Sequence, residues 1–277
     1  MSQPKYKTVL VDKENGITWV TFNRPEKRNA FNPTMVYELE EIFLDLETDD
    51  ETRVIVVTGA GNSWSAGMDL KEYFREGDAN PRTRFRSYTS MERWAGELLS
   101  MSRKPSIAMV NGYVFGGAFI PVCNADFAIA AEDAVFGLSE VNWGVIPGGA
   151  VAKVLVDTIN IRDAMYYATT GETFDGKKAA EIKLVNFAVP RDRLRAETIA
   201  LANKLMEKNP TVLAYTKQAV KAVRQMSYNE ALEYLMAKGT ALRFADRNQT
   251  RDEGIKKFID KKEFKPGYTA IKGKDAD

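Results

Sequence analysis

The 277-residue chain has no histidine, one cysteine and no long apolar run, and its 39 Lys and Arg are balanced by 38 Asp and Glu. Each shortage excludes something. Without imidazole there is no Ser-His-Asp or Cys-His catalysis, no histidine metal site and no imidazole pH switch. Proton transfer falls to Asp, Glu, Tyr, Lys or Cys. The lone Cys123 cannot close an intrachain disulfide, so the chain reads as cytoplasmic, and the expected role of Cys123 is a buried structural thiol. A formal net charge of +1 lacks the basic footprint of a nucleic-acid-binding protein, and no such partner is expected. The longest uncharged run, Ile107 to Cys123, is interrupted by Asn111, glycines and Pro121, which makes it a poor membrane helix. Met1 to Lys7 is polar and lacks the apolar stretch of a signal peptide, so no membrane partner is expected. There is no internal repeat, and Lys272 to Asp277 is expected to fray.

What is present suffices for a large core, with 14 Phe, 11 Tyr and 4 Trp. Thr8–Val11 and Ile17–Phe22 flank Asn15-Gly16, a hairpin signal. Asn32-Pro33 opens a helix with Asn as cap and Pro in the first turn, and Met35, Leu39, Ile42, Phe43 and Leu46 follow at helical spacing. Val54–Val57, Ser106–Val110 and Phe127–Ala130 are short buried strands. Strands separated by helical stretches argue for an α/β fold with a covered parallel sheet. After Gly149 helical periodicity dominates, except for Leu184–Val189. Helices are expected from Pro190 to Lys208, after Asn209-Pro210, and after Ser227, which has capping-box spacing to Glu230. The expected organisation is an α/β core over residues 1–200 and a helical region over 201–277, the boundary falling between about 190 and 210.

Two glycine-rich loops follow strands: Gly59 to Leu70, and Asn111 to Ala118. Glycine lets backbone N–H groups approach and point at a ligand. Neither loop matches a P-loop or the G-x-G-x-x-G spacing, and tight turns in an α/β fold account for them equally well. A third loop, Phe136 to Gly149, carries one carboxylate, Glu140, among Val141, Trp143, Val145 and Ile146. Burial there would raise its pKa and suit it to acid/base work near neutrality; a solvated loop glutamate is the plainer alternative.

Taken together these loops resemble the crotonase, or enoyl-CoA hydratase/isomerase, superfamily over about residues 8 to 268. Asn23 to Ala30 resembles its opening motif, Ser65 to Leu70 and Asn111 to Ala118 its two oxyanion loops, and Ser139-Glu140 through Gly149 its catalytic loop. Glu253-Gly254 with Phe258, Lys261 and Lys262 resembles its C-terminal signature. Within the superfamily, Met68 to Glu76 and Gly137 to Gly144 are most similar to the hydroxycinnamoyl-CoA (feruloyl-CoA) hydratase-lyases. The resemblance implies a crotonase fold, a ββα spiral core with a C-terminal helical trimerisation region. It also implies addition of water to a 4-hydroxycinnamoyl-CoA thioester, then cleavage to an aromatic aldehyde of the vanillin type and acetyl-CoA.

The same resemblance implies roles. The Met68 and Gly117 N–H groups would form the oxyanion hole, and Glu140 would be the acid/base. Tyr73 would sit by the phenolic end of the substrate, with Ser139, Trp143 and Gly148 also at substrate positions. Lys27, Arg28, Ala30, Ala66, Asp69 and Leu70 match positions near CoA. The CoA thioester is substrate rather than cofactor, no metal or redox cofactor is implied, and the partner is a second copy of the chain, as a trimer or dimer of trimers. Two positions depart from the pattern. Ile120 stands where ordinary hydratases have a second glutamate and the hydratase-lyases a serine. Met236 stands where the hydratase-lyases have a tyrosine; Tyr234 points roughly 200° away around the helix. Both count as pocket positions, and with Ile120 there, proton handling would rest on Glu140 alone. A hydratase or isomerase on another acyl-CoA, without carbon–carbon cleavage, and a non-catalytic CoA-binding scaffold remain open readings.

Overall fold

The computed structural model describes residues 5–263. In chain order its strands are β1 (Val9–Glu14), β2 (Ile17–Phe22), β3 (Val54–Gly59), β4 (Ser63–Ser65), β5 (Ser106–Val110), β6 (Tyr113–Phe115), β7 (Phe127–Ala131), β8 (Val135–Gly137), β9 (Thr173–Asp175) and β10 (Phe187–Val189). β1 and β2 pair antiparallel around Asn15-Gly16, whose φ values of 50° and 80° suit these two residue types. The hairpin starts a sheet of order β1-β2-β3-β5-β7-β10, parallel from β2 onward. β3 and β5 are buried along their whole length, as strands covered on both faces must be.

A smaller sheet of order β4-β6-β8-β9 accompanies it, parallel except where β8 meets β9. The chain alternates between the sheets: β3 runs into β4, β5 into β6, and β7 into β8, each pair followed by helical segments. This ββα turn recurs without any sequence repeat, because each turn is set by its own apolar pattern and loop residues. It is the ββα spiral expected from the resemblance.

α1 (Pro33–Thr48) forms where its cap predicts: the Asn32 side chain accepts the Met35 N–H at 2.9 Å, and Pro33 occupies the first turn. It buries Met35, Val36, Leu39, Ile42, Phe43 and Leu46. The helical stretch after β4 holds α2 (Pro81–Met91) between two π-helical segments, Leu70–Arg75 and Glu92–Leu98. π-helical turns interrupt the 3.6-residue period and recur at functional sites. Phe22, Phe31, Trp64 and Trp94 form a fully buried cluster of edge-to-face rings with centroids 5.0–6.1 Å apart.

The next helices are α3 (Phe119–Asn124), α4 (Val151–Thr158), α5 (Ile161–Thr170), α6 (Gly176–Glu181), α7 (Leu194–Met206), α8 (Pro210–Val223), α9 (Tyr228–Ala245) and α10 (Thr250–Ile259). The chain forms two compact units: one runs to Ile199 apart from Ser102–Pro105, and those four residues join the second, which begins at Ala200. In the second unit α8 is capped by Asn209 and α9 by the Ser227–Glu230 capping box. No helix of the described residues is long and apolar enough to cross a membrane. Cys123 is half-exposed rather than buried. The segment expected to fray, 272–277, lies outside the described residues.

Candidate active site

The spiral explains why residues far apart in sequence meet. β4, β6 and β8 lie side by side and parallel, with Ser65 opposite Val114 and Phe115 opposite Gly137. Their carboxyl ends therefore open onto one edge of the sheet. The segments leaving those ends carry Gly67-Met68, Gly116-Gly117 and Ser139-Glu140. Carboxyl ends of parallel strands are where α/β proteins commonly bind ligands.

The first two segments touch. Gly67 has φ +83°, and a Cβ placed on it would lie 2.4 Å from the Phe115 carbonyl oxygen and 3.3 Å from the Gly117 nitrogen. A Cβ on Gly117 would lie 2.8 Å from the Met68 sulfur and 3.9 Å from the Met68 nitrogen. Only glycine admits this approach. The Met68 segment is pinned from its other side: Phe31 donates its N–H to Gly67 O at 2.8 Å, and Asp69 donates to Phe31 O at 2.9 Å. This ladder takes the amides on either side of Met68 and leaves the Met68 N–H out of it.

Glu140 begins a short 3-10 turn, Glu140–Trp143, that ends at Gly144 in the left-handed conformation. Its Oε1 faces Gly116, where an added Cβ would lie 3.2 Å away, and its Oε2 is buried without a hydrogen-bond partner. Burial pushes this carboxyl above the usual glutamate range, opposed by a hydrogen bond from its own backbone N–H. The expected apolar setting is corrected in its source. Trp143 and Ile146 are 70% and 81% exposed, and Val141 and Val145 are also exposed, so Glu140 is desolvated on its Gly116 side. Ser139 is half-buried and precedes that turn without a side-chain capping hydrogen bond. Gly148 is exposed, its carbonyl accepting the Val151 N–H at 3.2 Å.

Two of the residues expected near CoA are engaged inside the protein. Asp69 Oδ2 accepts from Arg24 at 3.1 Å, and its Oδ1 accepts the Lys71 and Glu72 N–H groups at 3.0 and 2.9 Å. Burial alone would raise this carboxyl, but those donors hold it below the usual aspartate range. Arg24 is itself buried, and also donates to Glu72 at 2.6 Å and to Ala30 O at 2.6 Å. Ala30 is buried, and its N–H goes to Lys27 O. Asp69 and Ala30 therefore offer CoA no polar group and instead tie the opening motif to the Met68 loop. Breaking one half of a buried pair costs about 3–5 kcal/mol, because the other charge is left uncompensated. Lys27, Arg28 and Leu70 are exposed, with Arg28 5.1 Å from the Tyr113 ring centre, and Ala66 is half-buried.

Tyr73 sits half-buried on the first π-helical segment. Burial pushes its hydroxyl well above the usual tyrosine range, and the negative charge of Glu92 adds to the shift. Ile120 is buried on α3. Met236 lies on α9 in the second unit and is 67% exposed. Sequence reasoning missed Glu92. This carboxylate is half-buried at the head of the second π-helical segment and raised by burial, an effect that the Ala150 N–H opposes. Its Oε1 lies 3.4 Å from the Cβ position of Gly149, which is 4.0 Å from Ile120 Cδ1. The one local signal was the lone acid between Met91 and the buried Trp94. Glu92 and Glu140 are thus two carboxylates raised by burial, one beside Gly149 and the other beside Gly116. No group of three or more metal-ligating side chains occurs among the described residues.

Two closely placed backbone amides near a carboxylate whose buried Oε2 lacks a partner can hold a carbonyl oxygen while a proton moves nearby, the requirement of enolate chemistry on a thioester. The sequence model of the enoyl-CoA hydratase/isomerase family matches residues 12–267, and the chain belongs to that family. A hydroxycinnamoyl-CoA hydratase-lyase of Pseudomonas fluorescens is 48% identical over 271 residues, 97% of this chain and 98% of its own. A mevalonyl-coenzyme A hydratase of Aspergillus fumigatus is 32% identical over 247 residues, 89% of each chain. The crystal structure of an enoyl-CoA hydratase from Bacillus anthracis superposes with a TM-score of 0.83 at 28% identity, over 92% of this chain and 97% of that one. The crotonase fold expected from the sequence is thereby established.

Proposed function

We propose that the protein is a hydratase-lyase acting on a 4-hydroxycinnamoyl-CoA thioester of the feruloyl-CoA type. The observation that carries this reading is the 48% identity, along nearly the full length of both chains, to a hydroxycinnamoyl-CoA hydratase-lyase. The site supplies the chemistry. The Met68 and Gly117 N–H groups hold the thioester oxygen, each such donor being worth ~3–4 kcal/mol of barrier. Glu140 takes a proton from water, whose oxygen attacks the β-carbon. The electrons move onto the thioester oxygen, and the resulting enolate takes the proton back from Glu140 at its α-carbon, which restores the carboxylate. Glu140 then removes the β-hydroxyl proton, the Cα–Cβ bond breaks, and its electron pair returns to the enolate held by the same two amides. Protonation of that enolate gives acetyl-CoA, and the former β-carbon leaves as an aromatic aldehyde.

Lys27 and Arg28, exposed beside the Met68 loop, suit the phosphates of CoA, with Ala66 and Leu70 along the pantetheine arm. Ser139, Trp143 and Gly148 line the acyl side. The thioester itself carries the reactive group, so this chemistry requires no cofactor. The single half-exposed cysteine fits a cytoplasmic setting.

Feruloyl-CoA given to the purified protein is expected to yield vanillin and acetyl-CoA in equal amounts. Hydrated thioester without aldehyde would favour the second reading, an enoyl-CoA hydratase or isomerase. That reading is supported by the apolar Ile120 and by the exposure of Met236. Crotonyl-CoA turnover alongside separates the two.

The assembly we propose is a trimer or dimer of trimers. Val220, Tyr228, Leu232, Met236 and Phe244 of α8 and α9 are exposed, an apolar surface that association would cover. Light scattering is expected to give three or six times the monomer mass; a 31.0 kDa species would refute it.

A further inference from the structure

Glu92 is not used in the chemistry above, yet its placement is specific. It heads a π-helical segment that packs on α3, the helix carrying Ile120. Its carboxylate reaches across to the loop beyond Glu140, 3.4 Å from the Cβ position of Gly149, and the neighbouring Ala150 N–H opposes the rise that burial gives it. No cation pairs with it among the described residues: the adjacent Arg93 turns to Glu40 at 2.8 Å. A half-buried carboxylate so placed retains free lone pairs and lacks a partner for its charge.

The two carboxylates occupy different places. Glu140 faces Gly116, beside the paired amides. Glu92 faces Gly149, whose Cβ position also lies 4.0 Å from Ile120 Cδ1, and Ile120 lies one helical turn beyond Gly117. Tyr73 lies on the other π-helical segment, and both segments pack against α2, which runs directly into Glu92. A tyrosine hydroxyl can donate and an ionised carboxylate only accepts, whereas a phenol does both. Together they match a phenolic hydroxyl and nothing on a plain phenyl ring.

We propose that Glu92 accepts the hydrogen bond of the para-hydroxyl group on the substrate ring, while Tyr73 donates to the same oxygen. Glu92 is thus the residue that selects hydroxylated over unsubstituted aryl thioesters. This rests on the hydroxycinnamoyl-CoA reading and uses side chains of the first unit alone. The phenol keeps its proton; no proton transfer is involved.

The test uses thioesters with a saturated Cα–Cβ bond, which cannot be hydrated: 3-(4-hydroxyphenyl)propanoyl-CoA and 3-phenylpropanoyl-CoA, titrated calorimetrically into the full-length protein. A hydrogen bond to a charged group corresponds to roughly a ten- to hundredfold preference for the hydroxylated compound in the wild type. Glu92→Ala is expected to abolish the preference, and Glu92→Gln, which keeps an uncharged acceptor, to reduce it. Both variants should bind the phenyl compound within about twofold of wild type, which also reports that the pocket has folded. A wild type without preference, a preference that survives Glu92→Ala, or equal weakening of both compounds overturns the proposal. If feruloyl-CoA gives no aldehyde but the Glu92-dependent preference is present, the lyase reading fails and the assignment of Glu92 stands.

Discussion

Glu140→Gln is expected to lower turnover of 4-coumaroyl-CoA by about 10²–10⁴-fold, the usual contribution of a positioned acid/base, while thioester binding changes by less than about threefold. Glutamine keeps the shape and one acceptor oxygen and cannot take the proton. Histidine is absent from the chain, so no imidazole can substitute. The pH profile should carry the same signature. Burial raises the Glu140 carboxyl, and the base form is lost as pH falls through that raised value. The acid limb of kcat/KM in the wild type should therefore lie above the usual glutamate range and vanish with the variant. Stability should move the opposite way. A carboxyl raised in the folded state gives its stabilising contribution below its unfolded pKa and loses it as pH rises through the folded value. Glu140→Gln should then melt at or above the wild-type temperature near pH 8, the trade between stability and activity expected of a desolvated catalytic charge. Parallel pH–rate and melting series check both; unchanged turnover would remove Glu140 from the mechanism.

Gly67→Ala is expected to cost about 10²–10³-fold in kcat, comparable to removing an oxyanion donor outright. The residue is not itself a donor. Its φ of +83° is strained for alanine, and its added methyl would meet the Phe115 carbonyl at 2.4 Å, which is backbone and cannot swing aside. The loop after β4 must move away from the loop after β6, and the Met68 and Gly117 amides separate. The left-handed conformation adds roughly 1–3 kcal/mol of strain, so the melting temperature should fall as well. Met68→Ala separates the backbone from the side chain: it keeps both N–H groups and should lose far less activity. Equal losses in the two variants would place the effect in the methionine side chain, against the amide argument.

The contrast between these residues shows what is legible in a sequence. The Asn15-Gly16 turn, the Asn32 cap and the Ser227–Glu230 box act over a few residues, and each element stands where its local pattern puts it. Glu140 is visible because its loop, Ser139 through Gly149, resembles the crotonase catalytic loop; its local pattern alone suits a solvated glutamate equally. Asp69 misled because it adjoins the oxyanion loop in sequence, while the Arg24 that engages it lies across a fold that no local pattern discloses. Trp143 misled because an apolar neighbour in sequence is not a buried one. Glu92 was hidden by its helix: between Met91 and Trp94 it reads as a surface charge. Only the π-helical register and the β4-β6-β8 alignment bring it opposite Gly149. Convergence of three loops is a product of strand pairing, which is non-local, and the family resemblance was the only sequence signal that reached it.

The most direct test of the account is the conversion of 4-coumaroyl-CoA in D₂O, followed by mass analysis of the products. Hydration places one solvent proton on the α-carbon, and cleavage through the enolate places a second on the same carbon. The account predicts 4-hydroxybenzaldehyde together with acetyl-CoA carrying two solvent deuterons in its methyl group. A β-hydroxy thioester carrying a single deuteron, with no aldehyde, would contradict it.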